Sequence, residues 1–184
     1  MKIKPELLFA FALMITTPML SGQIQHPDMP KIVYNVDPQE GCQLGEWKIL
    51  APLNAYTNAG DTTSVAFRLN SNEKITALRG NVHVLKPGFA ILPEMTRVDA
   101  HDTSIITMKT DTVYILVRRG EGFADIWYRD KLLSAVDEMI FSGFQEPVTE
   151  WWVLIENMNK EQGWLRMLPD EKRKVYGWNI FMLN

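Results

Sequence analysis

The stretch that decides the fold is WWVLIENMNKEQGWLRML, at residues 151–168. Residues 151–156 are mostly apolar and aromatic, and residues 162–168 resume that character after a polar interval. The interval, Asn-Met-Asn-Lys at 157–160, has the composition of a connection between strands. The stretch therefore predicts a pair of antiparallel strands.

The same alternation of short apolar segments and polar turns extends through most of the chain before residue 151. Segments of about five to seven residues, rich in β-branched or aromatic residues, are separated by clusters of Asn, Gly, Asp and Ser. They are residues 47–53, 64–69, 74–79, 82–86, 104–108, 111–117, 122–128 and 131–135. The pattern predicts an all-β fold.

Three stretches add detail to this prediction. Residues 113–117 are apolar throughout, which suits a strand that is buried on both faces or that crosses between two packed sheets. Helical spacing of apolar residues at 134–141, and the order of charges at 170–176 after Pro169, predict one or two short helices.

The predicted hairpin, with Gly163 and Trp164 in its second strand, resembles the closing hairpin of bacterial SH3-like (SH3b) domains. Residues 69–74 resemble the diverging turn of that family, with Asn72 in place of its glycine, and residues 120–128 look like its hairpin into the middle aromatic strand. Asparagine tolerates positive φ well. Gly163 would allow a close approach to a neighbouring strand, and Trp164 would cover one open end of a barrel. The resemblance implies small β-barrels.

The matching segments do not make two complete copies of the family's domain. Two barrels in tandem, two barrels that share strands, and one barrel with a long insertion all remain open. We expect the tandem arrangement, with SH3-like barrels at residues 47–92 and 93–168. A leader at 23–46 would precede them, and a C-terminal extension at 169–184 would follow.

Residues 1–22 have the features of an export signal. Lys2 and Lys4 precede an apolar run at 7–15, which is too short to span a bilayer. We expect cleavage near Gly22, no integral membrane segment afterwards, and a periplasmic or secreted location.

Charge and cysteine content limit the partners and the chemistry. Loss of residues 1–22 would remove two lysines and one glutamate, which changes the net charge from −3 to −4. Such a surface repels polyphosphates, so nucleic acid is not expected as a partner. Cys42 is the only cysteine, so an intramolecular disulfide is impossible.

No catalytic or metal-binding constellation is assigned. Cys42 would be the nucleophile of a cysteine peptidase, but no amphipathic helix follows it to lower its pKa. Asp99, His101 and Asp102 lie within four residues, and a solvated turn explains them as well as a metal site does. We expect no enzyme activity, no cofactor and no metal.

Aromatic residues are the remaining functional signal. The adjacent pairs at 127–128 and 151–152 must point to opposite faces of a strand, so one ring of each pair lies outside the barrel core. Such outer rings either pack between domains or line a groove for peptide or glycan. Tyr56, Trp127 and Tyr128 are the predicted ligand-binding residues.

These observations favour a non-enzymatic extracytoplasmic binding module for cell-wall peptide or glycan. The alternative is a structural or assembly protein of the envelope that uses the barrels as a protein interface. A small cell-wall hydrolase is a third hypothesis. The expected partner is accordingly a cell-wall component or an envelope protein.

Overall fold

The computed structural model describes Met29 and residues 31–36, 42–100 and 103–179. Within these residues the chain is mainly β-strand, so the all-β prediction is confirmed. The fifteen strands, in chain order, are β1 (Ile32–Tyr34), β2 (Gly45–Ile49), β3 (Leu53–Tyr56), β4 (Val65–Leu69), β5 (Lys74–Lys86), β6 (Gly88–Leu92), β7 (Arg97–Ala100), β8 (Thr103–Ile106), β9 (Asp111–Gly120), β10 (Phe123–Tyr128), β11 (Lys131–Asp137), β12 (Ser142–Gln145), β13 (Val148–Asn157), β14 (Gln162–Arg166) and β15 (Val175–Tyr176). A 3-10 turn spans Glu138–Ile140, and helix α1 spans Pro169–Lys172.

The strands form two larger sheets and one hairpin. The first sheet has the order β15-β2-β5-β13-β14-β3-β4, with β1 also paired to β5. The second sheet has the order β11-β10-β9-β6-β12, and β7 pairs with β8. One sheet is curled into a half-barrel, which confirms the β-barrel character predicted from the sequence.

The first sheet contains strands that precede the second sheet in the sequence and strands that follow it. β13 pairs with β5 from Val148 opposite Lys86 to Asn157 opposite Ile75, while β6 to β12 lie between these two strands in the chain. β13 and β14 complete the sheet that β2 to β5 begin, so this sheet takes strands from both sides of the predicted division at residues 92 and 93.

β5 continues through a point where the sequence predicts a break between two strands. Gly80 lies opposite Val153, and Asn81 lies opposite Trp152. Because β13 offers backbone partners along the whole length of β5, the chain stays extended across the Gly-Asn pair.

β9 contributes to both apolar cores. Val113 and Ile115 pack in the core of the second sheet, whereas Leu116 and Val117 pack in the core of the first. All four side chains are fully buried. The prediction for residues 113–117 is confirmed, and this strand joins the two cores.

The sequence correctly predicts two backbone features. Asn72 has φ +70° in the turn between β4 and β5, and its N–H donates to the Ile49 carbonyl at 2.7 Å. A β-carbon at Gly163 would lie 2.9 Å from the Ala55 β-carbon, which is closer than real side chains pack. Glycine therefore lets β14 lie close against β3.

Only part of the predicted helix at 134–141 is helical. Residues up to Asp137 belong to β11, and the 3-10 turn follows. Leu133 and Val136 are buried in the second core, so tertiary burial outweighs the local helical spacing. The second predicted helix, at 170–176, appears as the single turn of α1, and β15 begins at Val175.

Both terminal segments contribute to the first sheet. β1 comes from the predicted leader, and β15 comes from the predicted C-terminal extension, where Trp178 is buried. The predicted signal peptide lies outside the described residues. Among the residues described, no helix is both long enough and apolar enough to cross a membrane.

Candidate functional site

Two of the three predicted binding residues lie in the second sheet and do not present open rings. Tyr128 is only 3% exposed, packs in the second core and donates its hydroxyl to Asp111 Oδ2 at 3.1 Å. Burial, and then the hydrogen bond to Asp111, raise the pKa of the Tyr128 hydroxyl. The expectation of an exposed ring at Tyr128 is corrected: this side chain belongs to the core.

Trp127 lies where the two sheets meet. Its ring is half-buried and packs against the core of the first sheet, although β10 belongs to the second. Its indole Nε1 is buried and has no hydrogen-bond partner among the described residues. Trp127 therefore fits the interpretation in which outer rings pack between units of the structure.

Tyr56, at the end of β3, is part of an aromatic cluster on the other sheet. Its ring lies edge-on to Trp152, with 5.9 Å between centroids, and the His83 ring lies at the same distance from Trp152. Trp152 is 1% exposed, whereas its neighbour Trp151 faces the opposite way and packs against Trp47 in the core. The predicted split of the 151–152 pair is confirmed, but the outer ring is covered.

Trp164 lies on the same outer face. It is opposite Leu154 on one side and Tyr56 on the other, and the Arg79 guanidinium lies 5.6 Å from its ring centroid. The Trp164 ring therefore packs against a cation on this face of the sheet.

Glu150 holds the charged part of this face together. Its Oε2 accepts from Trp152 Nε1 at 3.2 Å, and its Oε1 accepts from Arg166 Nη2. His83 lies directly opposite Glu150 across the β5–β13 ladder. Burial lowers the pKa of His83, and the negative charge of Glu150 offsets part of that effect.

A groove of about 330 Å³ opens beside this network, and we call it the Tyr56 groove. Tyr56 supplies an aromatic ring to the lining, whereas the side chains of the neighbouring Leu53 and Leu165 are buried in the first core. Its charged lining residues come from β4, β14 and the segment around α1: Arg68, Arg166, Glu171 and Lys174. Three cations and one carboxylate give the groove a positive balance that favours ligands with negative groups.

Helix α1 is fixed by Lys172, which turns away from the groove. The Lys172 ammonium lies 5.6 Å from the Trp151 centroid and 5.0 Å from that of Trp178, within cation–π range. Desolvation lowers the pKa of Lys172, and the charge of the nearby Cys42 offsets part of that effect. The adjacent Glu171 is consequently held at the groove.

The remaining candidates from the sequence lie elsewhere. Cys42 forms an isolated bridge with Asn179 and does not line the Tyr56 groove. Asp99 pairs with Arg97 at 2.8 Å, while His101 and Asp102 lie outside the described residues. In the parts of the chain that are described, no group of three or more His, Cys, Asp or Glu side chains is placed to hold a metal ion.

The charged residues of the site were not predicted from the sequence. Glu150 lies two positions before Trp152, and Arg166 lies two positions after Trp164, so each charge shares a strand face with an aromatic residue. That alternation places each charge beside a ring. This spacing was the signal that the sequence offered. Only the pairing of β13 with β14 brings Glu150 and Arg166 together.

Comparisons of the chain with protein-family models, with curated proteins and with solved structures find no match.

Proposed function

We propose that the chain is a non-enzymatic binding module, resembling SH3-like domains, that holds cell-wall peptide or glycan in the Tyr56 groove. The observation that carries this proposal is the convergence of one tyrosine ring with three cationic side chains, Arg68, Arg166 and Lys174. Aromatic faces pack against apolar and sugar surfaces, and arginine and lysine bind carboxylates. Wall polymers carry both kinds of group.

The proposed location outside the cytoplasm rests on the sequence. Two lysines followed by a short apolar run within residues 1–22 are typical of an export signal. A periplasmic or secreted position would bring the groove to the wall.

Binding without catalysis is supported by where the reactive side chains lie. The lining of the groove consists of recognition groups, and Cys42, the nucleophile of the hydrolase hypothesis, is not among them. We therefore expect no release of wall fragments in zymography, and the same result with Cys42→Ala.

Retention of the mature chain on purified peptidoglycan tests the proposal. Arg68 is exposed and lines the groove, so Arg68→Glu should weaken retention at least about tenfold with little effect on folding. Arg173→Glu is the matched control, because Arg173 is also exposed but does not line the groove. Absence of retention by the unmodified chain, or equal losses in the two variants, would overturn the proposal.

A second pair of variants tests the aromatic part. Tyr56→Ala should weaken retention, whereas Tyr34→Ala should not, since Tyr34 is 64% exposed on β1 and does not line the groove. Thermal unfolding of each variant separates lost binding from lost folding.

An envelope assembly role is the second candidate, and a different surface favours it. Met95, Ile106 and Met108 are 66%, 54% and 73% exposed, and the Met95 N–H donates to the carbonyl of Thr107. Exposed apolar side chains grouped in this way are typical of protein contacts. Co-purification of an envelope protein that is lost with Met108→Glu, in a chain that does not bind peptidoglycan, would favour this function.

A further inference from the structure

Two ionic side chains of the Tyr56 groove have buried polar atoms without partners. Across the described residues five buried side-chain atoms lack a hydrogen bond; three belong to His83, Trp127 and Trp151, and the other two are Arg166 Nε and Glu171 Oε2. Both of these ionic groups line the one groove. Buried polar atoms are nearly always satisfied, so an unsatisfied pair of opposite charge at one site calls for an explanation.

Arg166 retains donor capacity beyond its contact with Glu150. Glu150 accepts from Arg166 Nη2 through one oxygen and from the Trp152 indole through the other. The Arg166 Nε donor is left without an acceptor, and its side chain remains 32% exposed at the groove. Because Nε itself is buried, an external carboxylate meets the exposed part of this guanidinium, which Glu150 holds in place. Arg68, exposed at the same groove, adds a second positive charge.

Glu171 offers the complementary group. Its Oε2 is buried and lacks a donor, while the turn of α1 is held by Lys172 between two tryptophan rings. The anchored backbone positions this half-buried side chain. Because Oε2 itself is buried, a ligand ammonium meets the carboxylate at the edge that lines the groove.

From this arrangement we propose that the Tyr56 groove recognises a zwitterionic peptide group, whose carboxylate binds Arg166 and Arg68 and whose ammonium binds Glu171. The inference rests on the proposed binding function and narrows it, because it selects peptide carrying a free amine and a free carboxylate over neutral glycan. Tyr56 supplies the aromatic part of the lining, against which the aliphatic part of such a ligand packs.

Calorimetric titration of the mature chain with an alanine dipeptide tests this inference. The probes are the free dipeptide, its N-acetyl form, its C-terminal amide and the doubly blocked form. The free dipeptide should bind at least about tenfold more tightly than either singly blocked form, and the doubly blocked form should bind most weakly.

Two variants assign the ends of the ligand. Glu171→Gln should abolish the preference for the free amine and keep the preference for the free carboxylate, whereas Arg68→Gln should reduce only the latter. Asp170→Asn is the matched control, because Asp170 is the exposed neighbour of Glu171 and does not line the groove. No binding of the free dipeptide at millimolar concentration, equal binding of all four probes, or equal effects of Glu171→Gln and Asp170→Asn would overturn the inference.

The outcomes for the inference and for the proposed function are separable. If the chain is retained on peptidoglycan but binds free and blocked dipeptides equally, the proposed binding function stands and the zwitterion site is refuted. If the chain binds the free dipeptide selectively but is not retained on peptidoglycan, the zwitterion site stands and the cell-wall function is refuted.

Discussion

Gly60 lies directly against His83: a β-carbon at Gly60 would be 2.7 Å from Cε1 of the imidazole. The loop between β3 and β4 therefore packs on a ring that itself packs on Trp152. Gly60 also has φ +83°, a conformation that side chains disfavour. Both the steric and the backbone requirements at this position select glycine.

Gly60→Ala should lower the free energy of unfolding by about 2 kcal/mol and increase amide hydrogen exchange in residues 57–64, because strain and a clash act together. Gly122→Ala separates the two causes, since Gly122 has φ +81° but a β-carbon added there would meet no atom within 4 Å. It should cost only about 1 kcal/mol. Equal costs from denaturant unfolding would contradict the steric contact.

Acid should weaken the packing around His83. Burial lowers the pKa of His83 in the folded state, while its ordinary value is 6.5, so the unfolded chain takes up the proton first as pH falls. The stability that depends on neutral His83 is present above pH 6.5 and is lost below it. The unmodified chain should therefore lose more stability than His83→Gln between about pH 7.5 and about pH 5.5 in urea unfolding. Parallel losses in the two chains would show that His83 does not contribute.

Asp125 should be the most important carboxylate for the second sheet. It is fully buried, accepts from Arg119 Nε at 2.7 Å and Nη2 at 2.9 Å, and accepts from the Ala135 N–H at 3.0 Å. Asp125→Ala should destabilise the chain by about 3 kcal/mol, because it leaves the Arg119 guanidinium and the Ala135 N–H without their acceptor. Asp99→Ala removes an exposed pair with Arg97 and should leave the unfolding midpoint unchanged. A similar small effect of both substitutions would argue against the buried pair.

The two sheets should unfold in one transition, because β9 places Ile115 in one core and Leu116 in the other. Leu116→Ala should destabilise the chain by about 3 kcal/mol and shift tryptophan fluorescence and far-ultraviolet circular dichroism together. Separate transitions for the two probes would show that the cores fold independently.

Local chemistry sufficed to predict most of the strands in this fold. Residues 64–69, 111–117, 122–128 and 151–156 lie largely in strands as expected, because period-two alternation and turn composition act within a few residues. Asn72 and Gly163 were singled out through the resemblance to SH3-like domains, and each meets a geometric demand that few residue types satisfy.

The site was only partly predictable. Tyr56 lines the groove, whereas Tyr128 is in a core, because alternation tells which side chains share a face but not which face becomes covered. Arg166 and Glu171 gave no signal in the sequence that joined them to Tyr56.

The sequence by itself determined the all-β class, most strands and the residues that permit close approach or positive φ. Tertiary structure alone decided that β13 pairs with β5 across the intervening second sheet, and that Tyr56, Arg166 and Glu171 share one groove. The physical reason is that strand partners are chosen by long-range backbone hydrogen bonding and burial, which local residue patterns do not encode.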